Sequence, residues 1–181
     1  MTKNAIKIIA LAIPTIFMTM SCTVVRKAES SVEVATSTID NAADVQLRTN
    51  VIGWAQNYVG IKYRYASTNP KKGFDCSGFT SYIMSEYGVR ISPGSTTQAT
   101  QGRKVSLENA QPGDLVFFGR KKRISHVALI VSNNNGELTV VHSTNTRGVV
   151  VENINNSDYW RKRVLFTRDV ISNPTNRKKN S

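Results

Sequence analysis

Cysteine and histidine are scarce in this chain, with two of each in 181 residues. Two histidines and one distant cysteine leave no fourth ligand at zinc spacing, so the sequence offers no metal cluster and no cofactor motif. Acids are also few, 12 against 24 lysines and arginines. Such an excess favours an anionic partner. The dense runs are Arg120-Lys121-Lys122-Arg123, Arg161-Lys162-Arg163 and Arg177-Lys178-Lys179. None has interleaved aromatics or a groove-reading motif, so nucleic acid is not an expected partner. Taken singly, each run also reads as a solvated loop or tail. No apolar run is long enough to span a bilayer, which takes about 20 residues. No internal repeat is present.

The longest apolar run, Ile8 to Met20, is broken by Pro14 and follows Lys3 and Lys7. That is a secretory signal layout. Ser21 precedes Cys22, as in a lipoprotein signal, although Thr19 stands where that pattern has leucine. The expected organisation is a signal peptide over 1–21 and a lipid-anchored flexible linker over 22–43. A domain over 44–172 and a basic tail over 173–181 complete it. Cys22 is then acylated, and the protein is held on the outer membrane facing the periplasm. The alternative is an ordinary cleaved signal and a secreted protein. A lipid on Cys22 removes the disulfide partner that an exported Cys76 would normally have.

From Asp44 a helical pattern begins: Leu47, Val51, Trp54, Ala55 and Tyr58 recur at three- and four-residue steps, and Gly60 can end it. A second helix starts after Asp75, a good N-cap, with Phe79, Tyr82, Ile83 and Tyr87 as its stripe and Gly88 as its stop. Ser95 is expected to cap a short helix through Gln101. Pro112-Gly113-Asp114 is a turn into a strand at Leu115–Phe118. Strands are expected over Ile124–Val131, Leu138–His142, Arg147–Val151 and Val164–Thr167, with a hairpin at Asn133-Asn134-Asn135-Gly136. Helices followed by antiparallel strands make the fold class α+β.

A hairpin centred near residue 134 sets His126 and His142 opposite or diagonally adjacent, on the face that carries Ala128 and Val140. Cys76 falls at the start of the second helix. Free N–H groups and the helix dipole favour a thiolate there, while Asp75 opposes it unless its charge is spent on capping. An imidazole beside the thiol would make a Cys–His pair, with helix N–H groups for an oxyanion. A second polar group behind the first histidine would orient it. On residues alone, a structural cysteine with surface histidines is favoured over this catalytic pair, and a metal site is the third reading.

Five motifs, in order, narrow the choice. They are Tyr63-Arg64-Tyr65; Phe74-Asp75-Cys76-Ser77-Gly78-Phe79; Gln111-Pro112-Gly113-Asp114-Leu115-Val116-Phe117-Phe118; Ser125-His126-Val127-Ala128-Leu129; and Val141-His142-Ser143. Between about Trp54 and Val164 the chain resembles the NlpC-type cell-wall peptidases, papain-like cysteine hydrolases of bacterial envelopes. Tyr159-Trp160-Arg161-Lys162-Arg163 resembles the close of lipoprotein members.

The resemblance implies a papain-like core: a cysteine-bearing helix packed on an antiparallel sheet of about five to six strands. It implies Cys76 as nucleophile, His126 as general base and acid, and His142 as the orienting third residue. It also implies Tyr63, Asp75 and Ser77 as substrate-binding or oxyanion support. The implied substrate is the stem peptide or cross-link of peptidoglycan, cut next to diaminopimelate, by a monomer that needs no metal. The chain departs from the family pattern at Tyr65-Ala66-Ser67 and at Pro93-Gly94-Ser95-Thr96. Both segments border the expected groove and bear on bond specificity. Two other readings use the same residues: a non-catalytic peptidoglycan-binding lipoprotein, and an amidase or acyltransferase on the same fold.

Overall fold

The structure is a computed structural model and describes residues 41–172. The signal peptide, Cys22, nearly all of the linker and the basic tail lie outside the described residues. Helix α1 covers 41–56. Strands β1 (Thr68–Asn69) and β2 (Gly73–Phe74) form a small hairpin ahead of helix α2 (Cys76–Glu86). Helix α3 (Ser95–Gln98) and strand β3 (Arg103–Val105) follow. Then come β4 (Leu115–Arg120), β5 (Arg123–Asn134), β6 (Glu137–Thr144) and β7 (Gly148–Asn153). A 3-10 turn (Ile154–Asn156), helix α4 (Asp158–Arg161) and strand β8 (Val164–Asp169) complete the described chain. Strands β3 to β8 form one antiparallel sheet in the order β3-β8-β4-β5-β6-β7.

The sheet is apolar on both faces. Leu115, Phe117, Val127, Leu129 and Val141 point to α1 and α2, where they meet Val51, Ala55, Phe79 and Ile83. Val116, Phe118, Ala128, Ile130 and Val140 point the other way and are covered by Ile154 and Trp160. This double burial explains why Leu115-Val116-Phe117-Phe118 is a continuous apolar run rather than an alternating one.

The strands run a few residues longer than expected, and three other boundaries differ in ways that bear on the site. Helix α1 ends at residue 56, not at Gly60. Gly60 donates its N–H to Val149 O (2.9 Å), and Val149 N–H returns to Ile61 O (2.8 Å). The chain leaves the helix early to pair with β7. Helix α3 stops at Gln98, and its cap position is held by Gly94, so Ser95 is its first residue rather than its cap. Gln98 is fully buried; its Nε2 donates to Ser77 O (2.9 Å) and Ser92 O (2.6 Å). The turn between β5 and β6 is Asn135-Gly136, both with φ > 0, and Asn134 pairs with Glu137.

The last shift has a consequence for the histidines. A regular ladder from that turn would put His142 on the face of Leu129, opposite to His126. A bulge between Ile130 and Ser132 changes the register by one, so that Leu129 pairs with Val141. A one-residue shift flips every side chain beyond it. The bulge therefore returns His142 to the face of Ala128 and His126. The histidines are diagonal neighbours, not a directly opposed pair.

Candidate active site

Asp75 caps α2. Its Oδ1 accepts from Gly78 N–H (2.6 Å) and from Ser77 Oγ (3.3 Å). A Cβ on Gly78 would lie 2.2 Å from Ser67 O, so only glycine lets the preceding loop close on the helix start. Cys76, half-buried, is the first residue of the helix. The paired β5–β6 ladder stops at Leu129–Val141, and beyond it the strands part. There the backbone N–H of Val127 reaches the Cys76 thiol, as do those of Ser77 and Cys76 itself. The thiol thus sits at the residue next to His126.

Burial pushes the Cys76 thiol above its ordinary value, helped by Asp75 and opposed by those three N–H groups. The expected lowering at the helix start is present but is outweighed by desolvation. Burial, followed by the neighbouring His142, holds His126 down to about 3. Both groups are therefore neutral in the resting site, rather than a thiolate–imidazolium pair.

The histidines form a chain. His126 Nε2 lies 2.9 Å from His142 Nδ1, and His142 Nε2 lies 2.7 Å from Glu152 Oε1. Burial pushes the Glu152 carboxyl up, but hydrogen bonds from Arg147 and His142 outweigh it and hold it below the usual range. An ionised carboxylate only accepts. His142 Nε2–H must then donate to Glu152, leaving His142 Nδ1 as an acceptor. His126 Nε2–H must donate to that acceptor, which leaves the lone pair of His126 on Nδ1. Arg147 Nη2 (2.6 Å) and Trp160 Nε1 (3.1 Å) also donate to Glu152 Oε1. The Trp160 ring lies 4.7 Å from the His126 ring and 5.0 Å from that of His142, closing the site on one side.

Tyr63, Asp75 and Ser77 line a cleft of about 590 Å³ with Cys76. Burial raises the Tyr63 hydroxyl, with Cys76 and Asp75 adding to the effect. His126 lines an adjoining cleft of about 620 Å³ with Glu152, Tyr159 and Trp160. Ser125 belongs to both. All six residues expected at the site from 63 to 142 are thus gathered, while Cys22 lies outside the described residues. Glu152, Arg147 and the use of Trp160 were not foreseen. The register His142–Val150 and Val140–Glu152 puts Glu152 on the histidine face. A period-two reading of Val150 and Glu152 could have found it once the β6–β7 pairing was known. Among the described residues no group of three or more His, Cys, Asp or Glu is gathered as a metal site would need.

Comparison with known proteins bears on the family and the fold. The NlpC/P60 family matches residues 60–169. The chain is 30% identical over 145 residues to the murein DD-endopeptidase MepS/murein LD-carboxypeptidase of Escherichia coli, covering 79% of this chain and 74% of that one. It is 31% identical over 128 residues to the gamma-DL-glutamyl hydrolase of Bacillus subtilis, covering 68% of this chain but only 30% of that protein. Among solved structures, an NlpC/P60 family protein of Bacillus cereus superposes with a TM-score of 0.62 at 30% identity, over 68% of this chain and 40% of that one. The NlpC/p60 domain of the peptidoglycan hydrolase SagA superposes with a TM-score of 0.57 at 27% identity, over 67% of this chain and 97% of that domain. The fold is thus the α+β, papain-like one that the five motifs imply, and the chain belongs to the NlpC/P60 family.

Proposed function

We propose that this protein is a peptidoglycan endopeptidase that hydrolyses amide bonds of the stem peptide or cross-link through Cys76, His126 and His142. The observation that carries the proposal is the hydrogen-bonded series His126–His142–Glu152, which leaves the His126 Nδ1 lone pair free to take a proton from a thiol at a helix start. The E. coli relative is named a murein DD-endopeptidase and LD-carboxypeptidase, and SagA a peptidoglycan hydrolase. Both names support the same substrate class.

As a substrate carbonyl enters, Cys76 Sγ bonds to its carbon and the thiol proton passes to His126 Nδ1. The carbonyl electrons move to oxygen, and the N–H groups of Cys76 and Ser77 stabilise that oxyanion. The tetrahedral intermediate collapses by breaking the C–N bond, and His126 returns the proton to the leaving amine. Water then attacks the thioester while His126 takes its proton, and the C–S bond breaks to free the acid and the thiol. Tyr63, Asp75 and Ser77 line the acyl side of the cleft and contact the part of the peptide that stays on the cysteine. Glu152 fixes the tautomer of His142, and through it that of His126.

The test is digestion of defined muropeptides by the full chain, with products identified by mass. Amide cleavage is expected from the wild type and none above background from Cys76→Ala. Equal cleavage by both would end the thiol reading, and capture of cell-wall sacculi with no soluble product would favour the binding module instead. We further propose that Cys22 carries a lipid that keeps the enzyme at the cell envelope. Among the described residues no helix is long and apolar enough to cross a membrane. Cys22→Ser should move the protein to the soluble fraction with its hydrolysis rate intact; retention on membranes would contradict the anchor.

A further inference from the structure

Two basic runs far apart in the sequence, at 120–123 and 161–163, converge beside the catalytic clefts. Arg120 and Arg123 end β4 and begin β5, and Arg163 precedes β8. Together with Ile124, Ser125 and Tyr159 they line a groove of about 340 Å³ that contains no carboxylate. The convergence is built by the backbone. Gly119 donates its N–H to Arg163 O (2.8 Å), and a Cβ on Gly119 would lie 1.9 Å from Arg123 O. Only glycine allows this close approach.

The local fold does not explain these cations. Lys121 and Lys122 form the turn with φ of 50° and 64°, positions that favour asparagine and glycine. Arg120 and Arg123 face each other across the ladder, and like charges so placed repel. Asp158, the acid nearest in sequence to Arg163, is engaged by Arg161 and Lys162. Arg163 instead donates to Tyr159 O (2.6 Å) and stacks 3.6 Å from the Tyr159 ring, which holds its charge in place. An arrangement that costs folding energy and concentrates positive charge in a small groove is explained by an anionic ligand.

The place of the groove says which part of a ligand it meets. It shares Ser125 with the Cys76 cleft, but both Ser125 and Tyr159 with the His126 cleft. During the reaction the acyl half stays on Cys76, and the amine half leaves from the side of His126, which protonates it. We propose that the groove of Arg120, Arg123 and Arg163 is a subsite for a free carboxylate on the leaving-amine half of an acidic peptide substrate. The proposal rests on the peptidase reading above and adds the charge that the substrate must carry. A small groove beside the scissile bond suits one carboxylate rather than a membrane surface.

Binding separates this claim from catalysis. The full chain carrying Cys76→Ala is titrated with a fluorescent peptide bearing a side-chain carboxylate on the leaving-side residue, and with its carboxamide twin. The carboxylate peptide should bind about tenfold tighter. Adding Arg123→Gln or Arg120→Gln should remove that preference without lowering the thermal melt, which relief of the repulsion should if anything raise, while Lys162→Gln should keep the preference. Equal affinity for the two peptides, or a preference that survives both arginine substitutions, overturns the subsite. Equal affinity together with arginine-dependent capture on phosphatidylglycerol vesicles would overturn it in favour of a lipid surface. In the Cys76 wild type, cleavage of both peptides at one rate with equal binding would remove the subsite and leave the peptidase. A carboxylate preference in binding with no cleavage of either peptide would keep the subsite and remove the peptidase.

Discussion

At the scale of the residue, the resting state of Cys76 is set by a contest between burial and hydrogen bonding. Burial is the larger effect, so the thiol lies above its ordinary value. His126 is held down to about 3 and stays neutral across the physiological range. Alkylation by iodoacetamide reports the thiolate fraction. Its rate should therefore rise with pH through a midpoint above that of a free thiol, with no reactive plateau in acid; a plateau below pH 6 would mean a preformed ion pair. In the proposed mechanism Glu152 acts through His142, 2.7 Å away, as a positioning residue. Glu152→Ala should lower kcat by about 10–100-fold with KM and the melting temperature little changed. Glu152→Gln, which can still accept from His142, should recover much of the rate. Equal loss in both variants would assign the effect to charge rather than orientation. Cys76, His126 and His142 stand out in the sequence as candidates because few other residues compete for the proposed roles. Glu152 is one of 12 acids and nothing near it in the chain marks it. Its role appears only through the β6–β7 register, which is a non-local property.

At the scale of the element, helix α2 was legible from its own residues. Asp75, the stripe of Phe79 and Ile83, and Gly88 are local signals, and the helix forms where they say. The hairpin of β5 and β6 was legible only in outline. The run of three asparagines hides which pair makes the turn, and the Asn135-Gly136 choice moves the centre by more than one residue. That error would have separated the histidines had the strand been regular. The bulge at Val131 compensates for it, so the shared face was foreseen while the pairing that produces it was not. Short elements were missed for a related reason. Strands β1, β2 and β3 have two or three residues each and are held by their partners rather than by any pattern of their own.

At the scale of the whole molecule, one buried cation joins α1 to the sheet. Arg48 donates to Asp114 Oδ1 (2.7 Å) and Pro112 O (2.9 Å) through Nη1, and to Asp169 Oδ1 (2.8 Å) through Nη2. Burial pushes the Asp114 carboxyl up to about 6 despite Arg48, so the two acids do not hold their charge equally. Removing one partner of a buried pair strands the rest. Arg48→Ala should destabilise the protein by about 3–5 kcal/mol in urea unfolding, and Arg48→Met by less, since it fills the space. A change under 1 kcal/mol for the alanine variant would show that the ion pairs are dispensable. The charge excess, which in the sequence read as three solvated basic runs, is in the fold partly gathered into one groove beside the candidate active site.

The covalent step on Cys76 decides whether the proposed mechanism holds. Its most direct measurement is an acid quench of the full chain during turnover of a muropeptide, followed by intact-mass and peptide mapping. A thioester adduct of the acyl half of the substrate is expected on Cys76, absent when hydroxylamine is added before mapping. Turnover with no adduct on Cys76, or with the adduct on another residue, would contradict it.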